Sequence, residues 1–213
     1  MTALGYACKF GHASVARVLI EHGGKKNMGV GTERLTPMCW AAAMGNEELI
    51  ETLFELKCNI CGKDKYKRTP LILAIMNGHM RAASLLLRYG AEWNAGDSSL
   101  NTPLHYAAGY DWREAIDLLI KAGARVNDEN MWKSTPINID MLKNNFGAVK
   151  RLLEEDDIDV NGKDEEGRTL VALSCMKPNE ESYDFIKFLI EEKRAVSSTD
   201  VNGFTPLHHL VSV

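Results

Sequence analysis

The sequence predicts an all-α fold, a solenoid of stacked helix–turn–helix units, and three observations support this prediction. A short motif that begins with threonine recurs along the whole chain at an almost constant interval. Each complete copy contains two stretches whose apolar residues return with the period of an α-helix. The 213 residues are 45% apolar and 25% charged, a globular composition that can bury a sizeable core.

The recurring motif is Thr-Pro followed by an apolar residue. It stands at Thr36, Thr69, Thr102, Thr135 and Thr205, with degenerate copies at Thr2 and Thr169. The intervals between successive threonines are 34, 33, 33, 33, 34 and 36 residues. Self-similarity of this period predicts repeated supersecondary units. We therefore expect one repeat domain over residues 1–213, in which the first and last repeats are incomplete.

The fourth repeat illustrates how each unit should fold. Thr102 stands at the N-cap of a first helix, and Pro103 occupies its first position, where the missing N–H costs nothing. Ala107 and Ala108 are small enough to let a neighbouring helix approach closely. The second helix carries apolar residues at helical spacing, namely Ala115, Ile116, Leu118 and Leu119. Gly123 can then adopt the positive φ with which many helices end. We expect the leucines of the second helices to form the core.

In this register the sequence resembles an array of ankyrin repeats. The pattern of that family runs approximately D-x-x-G-x-T-P-L-H-x-A-A-x-x-G-H, followed by a second helix ending L-L-x-x-G-A-x-x-N, and the match covers essentially the whole chain. The resemblance implies stacked helical hairpins with projecting β-hairpin-like loops. It also implies a curved solenoid whose concave face is lined by the loop tips and the ends of the first helices. His105 and His208 occupy the position at which the family hydrogen-bonds backbone between units.

Two repeats depart from this pattern. The fifth has Asp140 and Met141 in place of two alanines, and Asn138 in place of the usual histidine. The sixth lacks the proline and carries a short expansion around Pro178, where we expect the stack to be locally distorted. Because both terminal repeats are cut within the unit, we also expect a monomeric fragment of a longer chain.

Charge and composition argue against several classes of function. The 25 Lys and Arg face 29 Asp and Glu, which gives a net charge of −4 and a pI of about 5.9. This balance argues against nucleic-acid binding, which needs clustered cations to neutralise phosphates. No apolar run approaches the roughly 18 to 20 residues of a membrane span, and no signal peptide is visible. Five cysteines fit a reducing compartment better than a disulfide framework, so we expect a cytoplasmic or nuclear location.

Two segments imitate metal sites, and we expect neither to bind a metal. Residues 157–162 match the first half of an EF-hand calcium loop, but Arg168 stands where that loop needs a bidentate glutamate. Cys58 and Cys61 have the spacing of zinc ligands without a second pair to complete the site. No arrangement of nucleophile, base and acid stands out. The expectation is therefore no cofactor, no metal and no enzymatic activity.

The candidate partner-binding residues are those that the repeat pattern leaves free, at the loop tips and near the ends of first helices. They are Lys65, Tyr66, Arg68, Asn77, Ser98, Ser99, Asn101, Tyr110, Trp112, Met131, Trp132 and Lys143. In chain order they run from a basic loop through a small polar loop to aromatic residues, and an acidic stretch follows at residues 154–166. Tyr110, Trp112 and Trp132 are the expected anchors, because Trp and Tyr dominate interface hot spots.

These residues predict a scaffold that binds a protein or an extended peptide along the concave face and the loop tips. Its partner should be acidic opposite the basic loop and basic opposite the acidic stretch. Two alternatives stay open. One is a methyl-lysine peptide reader, in which an aromatic cage supplies cation–π attraction. The other is a targeting module of a larger enzyme or channel. Trp40 and Trp93 occupy positions that the repeat normally fills with apolar residues, so we expect both to serve packing.

Overall fold

The computed structural model describes residues 1–142, 146–176, 180–193 and 195–211, and within these ranges the chain is helical. In chain order the helices are α1 (Ala3–Lys9), α2 (Ala13–Glu21), α3 (Pro37–Ala43), α4 (Glu47–Glu55), α5 (Pro70–Met76), α6 (Met80–Arg88), α7 (Pro103–Gly109), α8 (Arg113–Lys121), α9 (Pro136–Leu142), α10 (Phe146–Leu152), α11 (Leu170–Cys175), α12 (Glu180–Glu191) and α13 (Pro206–Val211). Odd numbers are the first helices of the repeats and even numbers the second. The described residues contain no β-strand, only an isolated bridge between Val30 and Leu35. The predicted all-α class is confirmed.

Each first helix begins directly after one of the repeat threonines. Thr36 shows the reason: its Oγ1 accepts a hydrogen bond from the N–H of Cys39 at 3.2 Å, while Pro37 fills the first helical position. Thr69 Oγ1 accepts from the N–H of Ile72 at 3.3 Å. These bonds satisfy N–H groups that the first turn of a helix leaves without partners. The Thr-Pro motif therefore acts as the start signal of the first helices.

A histidine three residues after the threonine extends this cap in two repeats. His105 Nδ1 accepts the N–H of Thr102 at 3.2 Å and lies 2.8 Å from its hydroxyl oxygen, and the seventh repeat has the same arrangement. In the fifth repeat Asn138 replaces the histidine. Asn138 Nδ2 and Thr135 Oγ1 are both buried, and neither has a hydrogen-bond partner within the described ranges. The substitution thus leaves two buried polar atoms unpaired, which native structures rarely tolerate.

The turn between the two helices of a repeat needs a residue in the left-handed region. Gly45 and Gly78 supply it with φ of 65° and 75°. In the fourth repeat Asp111 takes this place with φ of 53°, a conformation that costs an L-residue about 1 kcal/mol. Its Oδ1 accepts the N–H of Ala148 at 2.5 Å, a charge-assisted bond that offsets the strain. A Cβ at Gly147 would lie 2.6 Å from the same oxygen, so this approach requires glycine.

The helices group into two compact units. The first unit comprises Met1–Tyr106 with Lys121–Ala124, and the second comprises Ala107–Ile120 with Arg125–Val213. In the first unit α1, α3 and α5 pack in one row, and α2, α4 and α6 pack in another. In the second unit α11 packs between α9 and α13, while α10 and α12 pack against α9 and α11 respectively. Each unit therefore stacks its hairpins first helix on first helix, as a repeat array does.

The leucines of the second helices form the core of both units, as predicted. Leu53 and Leu86 are fully buried in the first unit, and Leu119 and Leu152 in the second. Leu87 and Leu118, both expected in the core, are only half-buried. Of the helices in the described ranges, none combines the length and the apolar character needed to cross a membrane.

The structure describes part of the two repeats that depart from the family pattern. Met141 of the fifth repeat is buried where the family pattern has an alanine. The expansion around Pro178 in the sixth repeat lies outside the described residues, so distortion there stays a prediction.

Candidate interaction surface

The loop before each of the last five repeats is organised by one side chain, which is buried in the first four of these loops and half-buried in the last. Asp64 Oδ1 accepts the N–H of Tyr66 at 2.9 Å and the N–H of Arg68 at 2.8 Å. In every such loop the side chain accepts the backbone N–H four residues later, and the organising residues are Asp64, Asp97, Asn130, Asp164 and Asp200. Because carboxylate or amide oxygens fix the loop backbone, the side chains at the loop tips project from a backbone of defined conformation.

Neighbouring loops are also joined backbone to backbone. In the first unit the N–H of Lys65 donates to Glu33 O at 2.7 Å, and the N–H of Ser98 donates to Tyr66 O at 2.8 Å. In the second unit Glu165 N–H donates to Trp132 O at 3.0 Å, and the following pair of loops is joined in the same way. Within each unit, residues from successive repeats are therefore held side by side.

The predicted basic loop carries less free charge than its sequence implies. Arg68 Nε donates to Asp64 Oδ2 at 2.7 Å, and its guanidinium also pairs with Glu33. The Arg68 side chain is only 16% exposed. Two carboxylates thus contact Arg68 and more than offset its charge, and the exposed cations of this loop are Lys63, Lys65 and Lys67.

The ring of Tyr66 is close to two cations of this loop. Its ring centroid is 4.9 Å from the guanidinium carbon of Arg68 and 5.6 Å from Lys65 Nζ, and the side chain is exposed. Cation–π attraction to its own neighbours therefore already uses this ring. Lys65, Tyr66 and Arg68 are brought together as the sequence predicted, although Arg68 serves the loop itself.

The small polar candidates of the first unit mostly support the backbone. Asn77 is exposed, and its Nδ2 donates to Leu73 O at 2.7 Å at the end of α5. The N–H groups of Ser99 and Asn101 both donate to Asp97, while the Ser98 side chain is exposed. Leu100 was not predicted, yet it stands exposed at the same tip with φ of 63°.

In the second unit the loop aromatic is exposed, whereas the turn tryptophan is not. Trp132 is 48% exposed and the adjacent Met131 is 57% exposed. Tyr110, beyond the end of α7, is 52% exposed. Trp112, the expected third anchor, is half-buried at the start of α8. Lys143 lies outside the described residues.

Exposed apolar residues that the sequence analysis missed lie in the first two repeats. Tyr6 and Phe10 stack on each other with ring centroids 6.3 Å apart, and both are exposed, as is Met44. A signal existed: Phe10 and Met44 stand eight residues after their repeat threonines, the same offset as the candidates Asn77 and Tyr110. Applying that offset to every repeat would have found them.

The two tryptophans assigned to packing are only half-buried. Trp40 packs against the core cluster of Leu35, Cys39 and Leu73. Its indole Nε1 is buried and has no hydrogen-bond partner within the described residues. Trp40 therefore contributes to the core and also presents part of its ring to solvent.

Several carboxylates in or near the acidic stretch form ion pairs within the chain. Arg151 pairs with Asp117 and, at 2.6 Å, with Glu155 Oε1. Arg168 Nε donates to Asp164 Oδ2 at 2.8 Å, so the carboxylate at the eighth position of the EF-hand-like segment is engaged in a structural ion pair. Asn161 Oδ1 of that segment accepts the N–H of Val196 at 2.8 Å. The segment acts as a repeat loop.

The described residues hold no cluster of three or more His, Cys, Asp or Glu side chains that could bind a metal ion. Cys58 is buried, and burial raises the pKa of its thiol to about 11. Thiolate is the form that ligates zinc or attacks disulfides, so a raised pKa opposes both roles at neutral pH.

Comparison with known proteins gives one family along almost the whole chain. The sequence model described as ankyrin repeats (3 copies) matches residues 1–64, 56–130 and 139–212. The poly [ADP-ribose] polymerase tankyrase of Caenorhabditis elegans is 38% identical over 186 residues, which cover 84% of this chain and 8% of the relative.

Two further relatives are smaller or more distant matches. Cyclin-dependent kinase inhibitor 2A of Monodelphis domestica is 36% identical over 108 residues, which cover 50% of this chain and 61% of the relative. Human SH3 and multiple ankyrin repeat domains protein 2 is 26% identical over 161 residues, 75% of this chain and 9% of the relative. The chain thus spans less than two thirds of the length of each of these relatives.

Proposed function

The chain belongs to the ankyrin-repeat family, whose repeats mediate protein–protein binding, and we propose that it binds a protein or an extended peptide along its concave face and loop tips. The fold is generally a non-enzymatic interaction module, and the tankyrase relative matches over only 8% of its length. We further propose that residues 1–213 form one repeat domain, because the repeat interval continues through both compact units.

The solvent exposure of Trp132 is the observation that supports the binding proposal most directly. Nearly half of this side chain is in contact with solvent, so packing does not account for it. The backbone of Trp132 is fixed by two hydrogen bonds of 3.0 Å: its backbone N–H donates to Asn130 Oδ1, and its carbonyl oxygen accepts from the N–H of Glu165. A large ring on a fixed backbone can bury much apolar area on binding while losing little conformational entropy. Trp is also enriched among the residues that dominate binding energy.

Other exposed groups support the same function. Met131 lies beside Trp132 at the loop tip, and Tyr110 is exposed in the same unit. In the first unit Tyr66 and Lys65 form an exposed aromatic–cation pair. Large apolar and aromatic groups framed by charges are the typical composition of an interface core and its rim.

The test is affinity capture with the wild-type chain and with Trp132→Ala, followed by titration of the captured protein. We expect Trp132→Ala to weaken binding by roughly 2 kcal/mol or more, the threshold of a hot spot. Tyr183→Ala is the matched control, because Tyr183 is an exposed aromatic on the second helix α12. Equal affinity of wild type and Trp132→Ala for a partner that binds this chain would contradict the role of Trp132.

The methyl-lysine alternative makes a different prediction. An aromatic cage would bind a trimethyl-lysine peptide and reject the unmodified peptide, because cation–π attraction depends on a weakly hydrated cation. Trp112 is half-buried and Tyr66 already faces two cations, so two of the aromatic candidates suit a cage poorly. Equal binding of both peptides would support the scaffold.

A targeting module of a larger enzyme or channel would use the same surface. The name of the Caenorhabditis elegans relative includes a polymerase activity, and this chain covers a small part of that protein. Fusing the chain to an unrelated reporter enzyme and asking whether the reporter becomes enriched on the captured partner tests this alternative directly.

A further inference from the structure

We propose that the first unit contains a docking cleft for an extended acidic peptide that carries a large apolar side chain, and that Lys9 recognises the peptide's negative charge. This inference rests on the proposed function and assigns it a second binding centre, remote in sequence from Trp132. None of the residues that form this cleft was among the candidates predicted from the sequence.

The cleft is formed by the first loop and the first helices α1 and α3. It has a volume of about 520 Å³, within the size range of ligand sites. Val30 and Leu35 form an apolar part of its lining, and the backbone N–H of Val30 donates to Leu35 O at 2.9 Å. Trp40 lines it as well and rests on the core cluster that includes Leu35. The apolar part of the lining is therefore fixed by the core.

Lys9 places a positive charge at this apolar lining. Its Nζ lies 5.8 Å from the Trp40 ring centroid and 5.7 Å from that of Phe10, and the side chain is exposed. Lys9 forms no ion pair within the described ranges of the chain. Two aromatic rings thus lie within cation–π range of the Lys9 ammonium, which is exposed and accessible to a carboxylate.

The second charged side chain of the lining is already engaged in an ion pair. Glu33 also lines the cleft, and its carboxylate pairs with the guanidinium of Arg68, which Asp64 contacts as well. Of the charged side chains in the lining, Lys9 is the one that has no ion-pair partner within the described residues. Lys9 is therefore the group of this lining that is available to an anionic ligand, while the charge of Glu33 works against such a ligand.

Further exposed apolar side chains lie on or directly after the helices that form the cleft. Tyr6 and Phe10 are stacked and exposed on either side of Lys9 in the α1 sequence, with 62% of Phe10 exposed. Met44 is exposed directly after α3. Neighbouring exposed rings of this size mark an interaction site more often than a plain soluble surface. An occupant that fills the cleft and also contacts these side chains must be extended, which fits a peptide.

The charge of the whole first unit agrees with an acidic partner. The unit has 13 Lys and Arg against 9 Asp and Glu, a net charge of +4. The second unit has 12 Lys and Arg against 20 Asp and Glu, a net charge of −8. Long-range attraction therefore selects the first unit for an acidic segment, and repulsion disfavours the second.

The test selects short random peptides, displayed on phage, against the wild-type chain, and then measures their affinity for variants by fluorescence polarisation. We expect the selected sequences to combine Asp or Glu with a large apolar residue. Lys9→Glu should weaken them about tenfold, because it turns attraction into repulsion within the cleft. Arg81→Glu makes the same change of net charge on α6 and should leave affinity within about twofold, as expected for a charge outside the contact.

Two further variants separate binding from folding. Phe10→Ala removes an exposed ring and should weaken the peptides severalfold. Glu33→Gln should instead strengthen them, because it removes a negative charge from the lining of the cleft while Arg68 stays paired with Asp64. An unfolded protein cannot give a gain in affinity, so this variant distinguishes recognition from loss of structure.

The outcomes separate the two proposals. Selected peptides without acidic residues, or acidic peptides indifferent to Lys9→Glu, would overturn the cleft. Peptides that lose affinity with Trp132→Ala and keep it with Lys9→Glu would support the proposed function and reject this inference. Selection of no peptide at all would count against both.

Discussion

The two compact units follow one backbone plan and carry opposite charge. The first unit is basic and exposes Phe10 at the end of a first helix and Tyr66 in a loop. The second is acidic and exposes Tyr110 and Trp132 at the corresponding kinds of position. The shared plan comes from residues that the helix starts and the core require, whereas loop tips and helix ends face no such requirement. Recognition can therefore differ between units that fold in the same way.

The units also differ in how well their internal polar groups are matched. In the first unit His79 Nε2 lies 3.1 Å from Ala43 O, and Asn46 Nδ2 donates to Gly11 O at 3.1 Å, so turns of successive repeats are hydrogen-bonded. Among the described residues, one buried side-chain atom of the first unit has no hydrogen-bond partner, Trp40 Nε1, whereas the second unit has four such atoms, including Asn138 Nδ2. Unpaired buried polar atoms lower stability, so we expect the second unit to be the weaker one.

The largest expected effect tests the core of that weaker unit. Leu119→Ala should lower the free energy of unfolding by about 2 to 5 kcal/mol, because Leu119 is fully buried and the change leaves a cavity. Leu53→Ala is the matched change in the first unit. Urea denaturation followed by circular dichroism measures both. A midpoint unchanged from wild type in either variant would contradict the placement of that leucine.

The same measurement examines whether residues 1–213 are one domain. Repeats couple to their neighbours, so both leucine variants should shift one common transition. If each variant moved a separate transition and left the other in place, the proposal of a single domain would be wrong.

A smaller effect is expected from repairing the fifth repeat. Asn138→His should raise the free energy of unfolding by roughly 1 to 2 kcal/mol, because an imidazole can pair with the Thr135 hydroxyl as His105 pairs with Thr102. His105→Asn is the reciprocal change and should lower stability by a similar amount. Thermal denaturation of the two variants gives the answer, and a loss of stability in Asn138→His would refute the pairing.

The smallest effect concerns two equivalent loop lysines. Lys67 and Lys133 have φ of 59° and 53°, at the position where the family pattern has glycine. Replacing either by glycine should gain about 0.5 to 1 kcal/mol, because relief of left-handed strain exceeds the added freedom of the unfolded chain. The control is Gly203→Ala, where φ is 79° and a Cβ meets no atom within 4 Å, so any loss reports backbone strain alone. A difference in sign between Lys67→Gly and Lys133→Gly would show that the two loops are not equivalent.

The fold was predictable because its determinants are local. Thr36 and Pro37 specify a helix start through neighbours within three residues. Leu53 and Leu119 reveal the buried face through helical spacing alone. The exposure of Tyr66, Met131 and Trp132 also followed from their place at loop tips.

The candidate site was less predictable, because its side chains are set by contacts between repeats. Glu33 and Arg68 are 35 positions apart, and only the alignment of neighbouring loops brings them together. In the sequence, Asp111 simply replaces the glycine of the turn. In the structure, its carboxylate accepts a hydrogen bond from the N–H of Ala148 in the next repeat. Trp112, an expected anchor, is half-buried, because its burial depends on packing that the repeat pattern does not specify.

The backbone hydrogen bonds between neighbouring loops allow the side chains at the loop tips to be replaced. The links from Lys65 to Glu33, from Ser98 to Tyr66 and from Glu165 to Trp132 use only main-chain atoms. Side chains at these places can therefore be replaced without breaking the bonds that align the loops. A randomised library confined to these tips should retain the parent architecture, and new affinities could be drawn from this chain by varying a handful of codons.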